Sequence, residues 1–273
     1  MKGYYTAKEA REILGMTYSA LQNQVNIGNL HPITPPGRRQ KVYPKKEVDE
    51  LKREMDAWLM ARTPAKASPT KFVQATVEDM PAAVELSRAV FGDLNIIPLE
   101  KRIQWLEKNP EIDYLLKQED QIVGYFTLVP LRSETIDDLL NKRILAKELT
   151  ANDILTYEPG VPLDLYAMAI GVRPGVSLSQ KRQWGVYLLL GARRVLLGLG
   201  QRGIVIRSIK AHSSKPDGIR LMRHLGLTET ASSIPDMHDF MVDVEESGLP
   251  FVLEYKEALA EWRREHETAS ASG

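Results

Sequence analysis

The chain has no cysteine. That excludes a disulfide framework, a thiolate nucleophile and a Cys-based zinc site. It has no apolar run near the ~20 residues that a membrane span needs. The N-terminal MKGYYTAKEA lacks the apolar stretch of a secretory signal. These absences lead us to expect a cytoplasmic protein with no membrane partner. His31, His212, His224, His238 and His266 show no metal-ligand spacing, so no metal is expected. Internal repeats are absent. Net charge is absent as well, with 36 basic against 36 acidic residues.

The zero balance hides an asymmetry. Residues 1–66 hold twelve Lys/Arg against seven Asp/Glu, and the remainder holds twenty-four against twenty-nine. A basic small domain on an acidic larger one suggests a nucleic-acid partner for the first. Thr6-Ala7-Lys8-Glu9 is a capping-box pattern, and Gly15 is placed to end the helix it starts. Thr17 can cap a second helix with Leu21 and Val25 inward and Tyr18, Ser19, Gln22 and Asn23 outward. Two short helices across a tight turn make a helix-turn-helix, whose second helix offers its N-terminal side chains to base edges. A turn at Pro35-Pro36-Gly37 and the segment from Arg38, Arg39 and Lys41 to Tyr43 read as a two-stranded wing with phosphate-contacting cations. Pro44 opens a third helix bearing Val48, Leu51 and Met55 on one face.

TAKEAREILG, TYSALQ, GNL and RRQKVYPKKEV, in that order, resemble the winged helix-turn-helix of the MerR and excisionase group. The resemblance implies a small all-α, DNA-binding domain over residues 1–62, often a homodimer through a following helix. A helical interaction module with a solvated basic loop is the blander alternative. Thr63 to Thr70, with two prolines and small residues, reads as a linker over 63–70.

The larger part is organised around Asp164–Gly200: an apolar strand, a loop of Gly, Ser and basic residues, then a long apolar helix. A strand feeding a polar loop into a helix N-terminus makes an anion site. Around it the pattern predicts a strand at 72–75, helices at 81–91 and 99–108, and a hairpin of 112–117 with 121–129. Strand 164–172, helix 180–199, strand 204–211, helix 216–225, strand 239–244 and a terminal helix 251–267 follow. This is an α/β order with antiparallel strands first and an α-crossover later.

FVQATVEDMP, QIVGYF, the central stretch, RSIKAHSS and GIRLMRHLGLTE resemble the GNAT acyltransferase superfamily over 71–244, with 245–273 as a C-terminal helix and tail. The resemblance implies a mixed, largely antiparallel V-shaped sheet split between its fourth and fifth strands. It implies acetyl-CoA as co-substrate and an amine, small-molecule or protein, as acceptor. The pantetheine would lie along Ala169, Ile170 and Val172, and the pyrophosphate near Lys181, Arg182, Gly185 and Val186, with Ser213 close by. Arg182 and Gly185 fit the family's R-x-x-G-x-G/A pattern; Tyr187 stands where its last small residue would be. Asp164 is the candidate general base. The usual acid position holds Met222, which cannot donate a proton, so Tyr166, Tyr187 or a water is left as the candidate acid. Two functions follow as expectations: an acetyl-CoA-dependent N-acyltransferase with a DNA-binding head, or a DNA-binding transcription regulator whose GNAT-like domain senses a ligand without catalysis.

Overall fold

The computed structural model describes residues 3–37, 40–59, 70–93 and 96–270, with only the backbone described at 57–59 and 267–270. Strand β1 (Tyr4–Thr6) leads into α1 (Ala7–Leu14). The capping box forms: Thr6 Oγ1 accepts the Glu9 N–H at 3.2 Å, and the Glu9 carboxylate accepts the Thr6 N–H at 2.7 Å. Gly15 ends α1 in the left-handed region, and Thr17 caps α2 (Tyr18–Asn26). Strand β2 (Val42–Pro44) and α3 (Lys45–Leu59) complete the head.

The head is therefore not all-α, which differs from the all-α domain expected from the sequence. Its N-terminal Tyr-Tyr-Thr, rich in β-formers, pairs antiparallel with β2. Among the described residues the expected wing shows an Ile33–Val42 bridge, which Pro35 and Pro36, lacking an N–H, do not extend. Arg38, Arg39 and positions 63–69 of the expected linker lie outside the described residues.

The body follows the predicted order closely. It runs β3 (Thr70–Gln74), α4 (Met80–Phe91), α5 (Leu99–Lys108), β4 (Asp113–Gln118), β5 (Gln121–Leu131) and α6 (Ser133–Leu140). Then come β6 (Pro162–Val172), α7 (Leu178–Gln201), β7 (Val205–Ser213), α8 (Pro216–His224), β8 (Thr228–Thr230), β9 (His238–Asp243) and α9 (Pro250–Ser270). Short, polar β8 is the strand the sequence does not predict.

Seven strands form one sheet in the order β3-β4-β5-β6-β7-β9-β8. Only β6 and β7 are parallel; the other neighbours are antiparallel. The β6–β7 pairing runs from Pro162–Val205 to Tyr166–Lys210 and stops there. Beyond it β6 pairs only with β5, as far as Val172, while β7 pairs only with β9, as far as Ser213. The sheet thus opens as a V between its fourth and fifth strands, the split the sequence leads one to expect.

One face of the sheet packs against α7 and α9, which Arg193 joins to Glu254 through two bonds of 2.6 and 2.5 Å. The other face packs against α4 and α5 around Met80, Leu86, Trp105 and Tyr125. The terminal helix α9 covers the sheet. Among the described residues no helix is long and apolar enough to cross a membrane.

Head and body share a core. Leu14, Leu21, Val48 and Met55 belong to the same buried cluster as Leu227 and Leu249. Gln24, buried in α2, donates from Nε2 to the Arg223 carbonyl at the end of α8 (3.1 Å). The Thr17 and Thr228 hydroxyls meet at 2.8 Å. At Gly15 (φ 65°) a Cβ would sit 2.2 Å from the Gly248 carbonyl oxygen, so only glycine permits this approach.

This contact gives a stability test. Gly15→Val should cost about 2–4 kcal/mol, from left-handed strain and backbone overlap together. Gly28→Val shares a positive φ but meets open space, so it should cost about half of that or less. Urea denaturation of the two variants measures the difference, and equal losses would contradict the docked head.

Candidate functional site

Where β6 and β7 part, the gap opens into a cavity of about 400 Å3. Its walls come from α4 (Val84, Ser87, Phe91), α5 (Arg102, Trp105) and the inward side chains of β5 and β6. The segment after α6 and the ends of β7 and α8 close it. Alternation along β6 sends Tyr166 and Met168 into it.

Two polar side chains meet at the fork of the V. The Tyr166 hydroxyl lies 3.4 and 3.5 Å from the two ring nitrogens of His212. The rings meet edge-on at 5.9 Å. Tyr166 is 3% exposed, and burial pushes its hydroxyl well above the ordinary tyrosine value, so it stays protonated. Burial lowers the His212 pKa, a pull that Asp239 opposes and Lys142 reinforces, so His212 is a neutral imidazole at pH 7. Asp239 faces His212 across the β7–β9 ladder, and its Oδ1 is buried without a partner. A protonated phenol beside a neutral imidazole supplies one proton donor and one proton acceptor.

The other expected site residues are distributed as follows. Asp164 is buried, and both of its oxygens are taken: Oδ2 by Arg207 Nη2 at 2.6 Å and Oδ1 by Ser208 Oγ at 2.9 Å. It does not line the cavity. Ala169, Ile170 and Val172 lie on the part of β6 that β7 leaves unpaired, so its edge N–H and C=O groups face the open V. Helix α7 begins at Leu178 under a Ser177 cap, so the loop is shorter than the sequence leads one to expect. Arg182, Gly185 and Val186 are then helical rather than loop residues. Their backbone N–H groups close i→i−4 bonds, which leaves anion contacts to the first turn and to side chains. Arg182 is exposed, Lys181 pairs with Asp217 at 2.5 Å, and a Cβ on Gly185 would meet open space. The bulk of Tyr187 packs at the rim of the core. Ser213 lines the cavity while its Oγ accepts the Lys215 N–H at 3.1 Å, a turn leading into α8. Met222 is buried in the core.

In the head, Tyr18 (56% exposed) and Ser19 are open to solvent, as is Lys41, and Gln22 and Asn23 are half-buried. Sequence reasoning undervalued His212, a single histidine in an apolar strand. It missed Arg102, Trp105 and Lys142, whose meeting depends on packing between α5 and the segment after α6. Of the three, Lys142 lies in the long stretch between the predicted strands 121–129 and 164–172, and Arg102 and Trp105 read only as residues of the predicted helix 99–108.

The His212 shift has a consequence for stability. The folded form holds its proton less tightly than an unfolded histidine of pKa 6.5. Its contribution is therefore complete above pH 6.5 and is lost as the pH falls through the lower folded value. His212→Gln should lose less stability than the wild type between pH 7.5 and 5, read from urea midpoints. An unchanged or steeper acid loss would contradict a buried neutral His212.

No protein-family model matches the chain, and no curated protein matches it. Among solved structures it is similar to the GNAT-like decarboxylase GphF in complex with isobutyryl-CoA. That match has 17% identity, covers 63% of this chain and 98% of that one, and has a TM-score of 0.45. It is also similar to Naa50 of Arabidopsis thaliana in complex with a bisubstrate analogue (12%, 64% and 97%, TM-score 0.40). A third likeness is to the ribosomal-protein-S18-alanine N-acetyltransferase of Escherichia coli (13%, 64% and 93%, TM-score 0.39). At these identities and scores none of them assigns an activity to this chain.

Proposed function

We propose that the body is a GNAT-type N-acyltransferase that uses acetyl-CoA or a related acyl-CoA. The observation that carries this reading is the unpaired edge of β6 from Ala167 to Val172, opening into a cavity that holds Tyr166 and His212. An extended amide-bearing arm such as pantetheine fits this edge as an added strand would. Ala169, Ile170 and Val172 are its backbone contacts, and Ser213 flanks it. Lys181 and Arg182, beside the α7 N-terminus and the open space at Gly185 and Val186, attract the pyrophosphate.

The acyl thioester supplies an electrophilic carbonyl. His212 accepts the proton that the attacking amine loses as the C–N bond forms. Tyr166 donates its proton to the sulfur as the C–S bond breaks, and the two side chains then exchange the proton across their 3.4 Å contact. Asp164, with both oxygens engaged, is proposed to hold β6 against β7 instead of serving as the base.

Acetyl-CoA should bind with a dissociation constant below millimolar and raise the melting temperature. Tyr166→Phe should keep that affinity and lower kcat about 10²–10³-fold in a thiol-release assay with a reactive amine. No acetyl-CoA affinity would end the acyltransferase reading, and full kcat in Tyr166→Phe would end the role of Tyr166.

A second reading, a regulator that senses acyl-CoA without turnover, is favoured by α8. This helix ties Asp217 to Lys181 near the cofactor end and offers its Arg223 carbonyl to Gln24 of α2. In both readings the head binds DNA through Tyr18, Ser19, Gln22, Asn23, Arg38, Arg39 and Lys41. The open positions of Tyr18, Ser19 and Lys41 and the basic surplus support this. For roughly three to five phosphate contacts, log affinity should fall with log salt at a slope of about −3 to −5. Salt-independent binding, or binding unchanged by Arg38→Ala with Arg39→Ala, would remove the DNA role.

A further inference from the structure

The cavity has a chemical character that the acyl-transfer machinery does not need. Away from Tyr166 and His212 much of its wall is apolar: Val84, Phe91, Ile97, Leu139 and Met168. Its charged lining is all basic, with Arg102 on α5, Lys142 and Lys147 after α6, and Lys215 before α8; among the described residues no Asp or Glu lines it.

Two of the lining donors are buried. Trp105 is 1% exposed, and its Nε1–H has no partner and is itself buried, so an acceptor reaches it only with a small shift of the wall. Leaving such a donor unsatisfied costs about 1–3 kcal/mol, so its presence in a cavity wall calls for an acceptor. Arg102, also buried, gives one bond of 2.7 Å from Nη2 to Asp113 Oδ1, which Thr127 Oγ1 also donates to at 2.5 Å. That bond fixes the guanidinium, which lies 6.0 Å from the centre of the Tyr125 ring. A guanidinium has five N–H donors, so this one has capacity left for a planar anion. Asp113 balances the charge of Arg102, which leaves Lys142, Lys147 and Lys215 as the surplus in the lining. The Lys142 ammonium is close enough to His212 to lower its pKa, so it also borders the reacting centre.

We infer that the acyl acceptor is an amine that also bears a carboxylate on an apolar body, and that Trp105, Arg102 and Lys142 receive the carboxylate. This rests on the acyltransferase reading for the word acceptor, but not for the anion pocket. The carboxylate takes the indole and guanidinium donors, the apolar body lies against Phe91 and Met168, and the amine is left facing His212. An amine with no acceptor group would leave the Trp105 N–H unpaired, and an amine without an anionic group would bring no charge to offset the lysines. The product would be an N-acyl amino acid and free CoA thiol, with no other co-reactant.

The test uses the full chain and matched probes: L-leucine and L-phenylalanine, each beside its own carboxamide. With saturating acetyl-CoA, thiol release should give the carboxylates a kcat/KM at least about tenfold above their carboxamides. Lys142→Asn, at a position whose φ of 52° asparagine tolerates, should raise KM for the carboxylates several-fold and so cut the carboxylate-over-carboxamide ratio of kcat/KM by the same factor, whatever it does to kcat for both. Trp105→Phe should act in the same direction while keeping a ring in the wall; if it fails to fold, Lys142→Asn still decides. Equal rates for carboxylate and carboxamide, or variants that shift both alike, would overturn the pocket. A thermal-shift series without acetyl-CoA separates the two claims. If acetyl-CoA does not bind but the carboxylates raise the melting temperature and Lys142→Asn abolishes that rise, the pocket stands and the acyltransferase reading falls. If no carboxylate is turned over or shifts the melting temperature, the pocket is wrong.

Discussion

The structure depends on how β6 and β7 are held together at one end and apart at the other. At the closed end, buried Asp164 on β6 accepts bonds from Ser208 and Arg207 on β7, next to a shift in the parallel register. A carboxylate buried there without those donors would be costly, so the pairing is worth keeping even though each partner is small. At the open end the parallel pairing stops at Tyr166–Lys210, and Tyr166 and His212 meet edge-on at the fork, on the face that lines the cavity. The side chains at the fork of the V are the ones able to move protons inside it.

The head extends this logic. It is joined to the body by apolar burial, by the Gln24–Arg223 bond and by the close approach of Gly15 to Gly248. Helix α2 therefore has two faces with different tasks. One is spent on the body, and the one bearing Tyr18 and Ser19 is free. A helix committed on one side to α8 is positioned to register changes at the other end of α8, where Asp217 meets Lys181.

Much of this was legible in the residues. The capping box at Thr6, the glycine after Leu14, the hairpin turn at Glu119-Asp120 and α5 at Leu99–Lys108 form where local patterning puts them. They do so because caps and 3.6-residue periodicity are local physics. The long helix α7 was recognisable, but its first turn was not: Ser177 caps it earlier than its apolar stripe begins. Of the expected wing, the described residues keep the Ile33–Val42 bridge, and Pro35 and Pro36 have no N–H with which to extend it. The cavity was largely illegible. Arg102 meets Asp113, and Lys142 comes to line the same cavity as His212, only after α5 and the segment beyond α6 fold over the sheet. A buried donor without a partner, such as the Trp105 N–H, has no signature in sequence.

The central claim is that the unpaired edge of β6 receives an acyl-CoA. A crystal structure of the full chain with acetyl-CoA tests it most directly. The account predicts the pantetheine arm bonded to backbone groups between Ala167 and Val172, with the thioester carbonyl next to Tyr166 and His212. Acetyl-CoA bound elsewhere, with the V closed or its edge untouched, would contradict it.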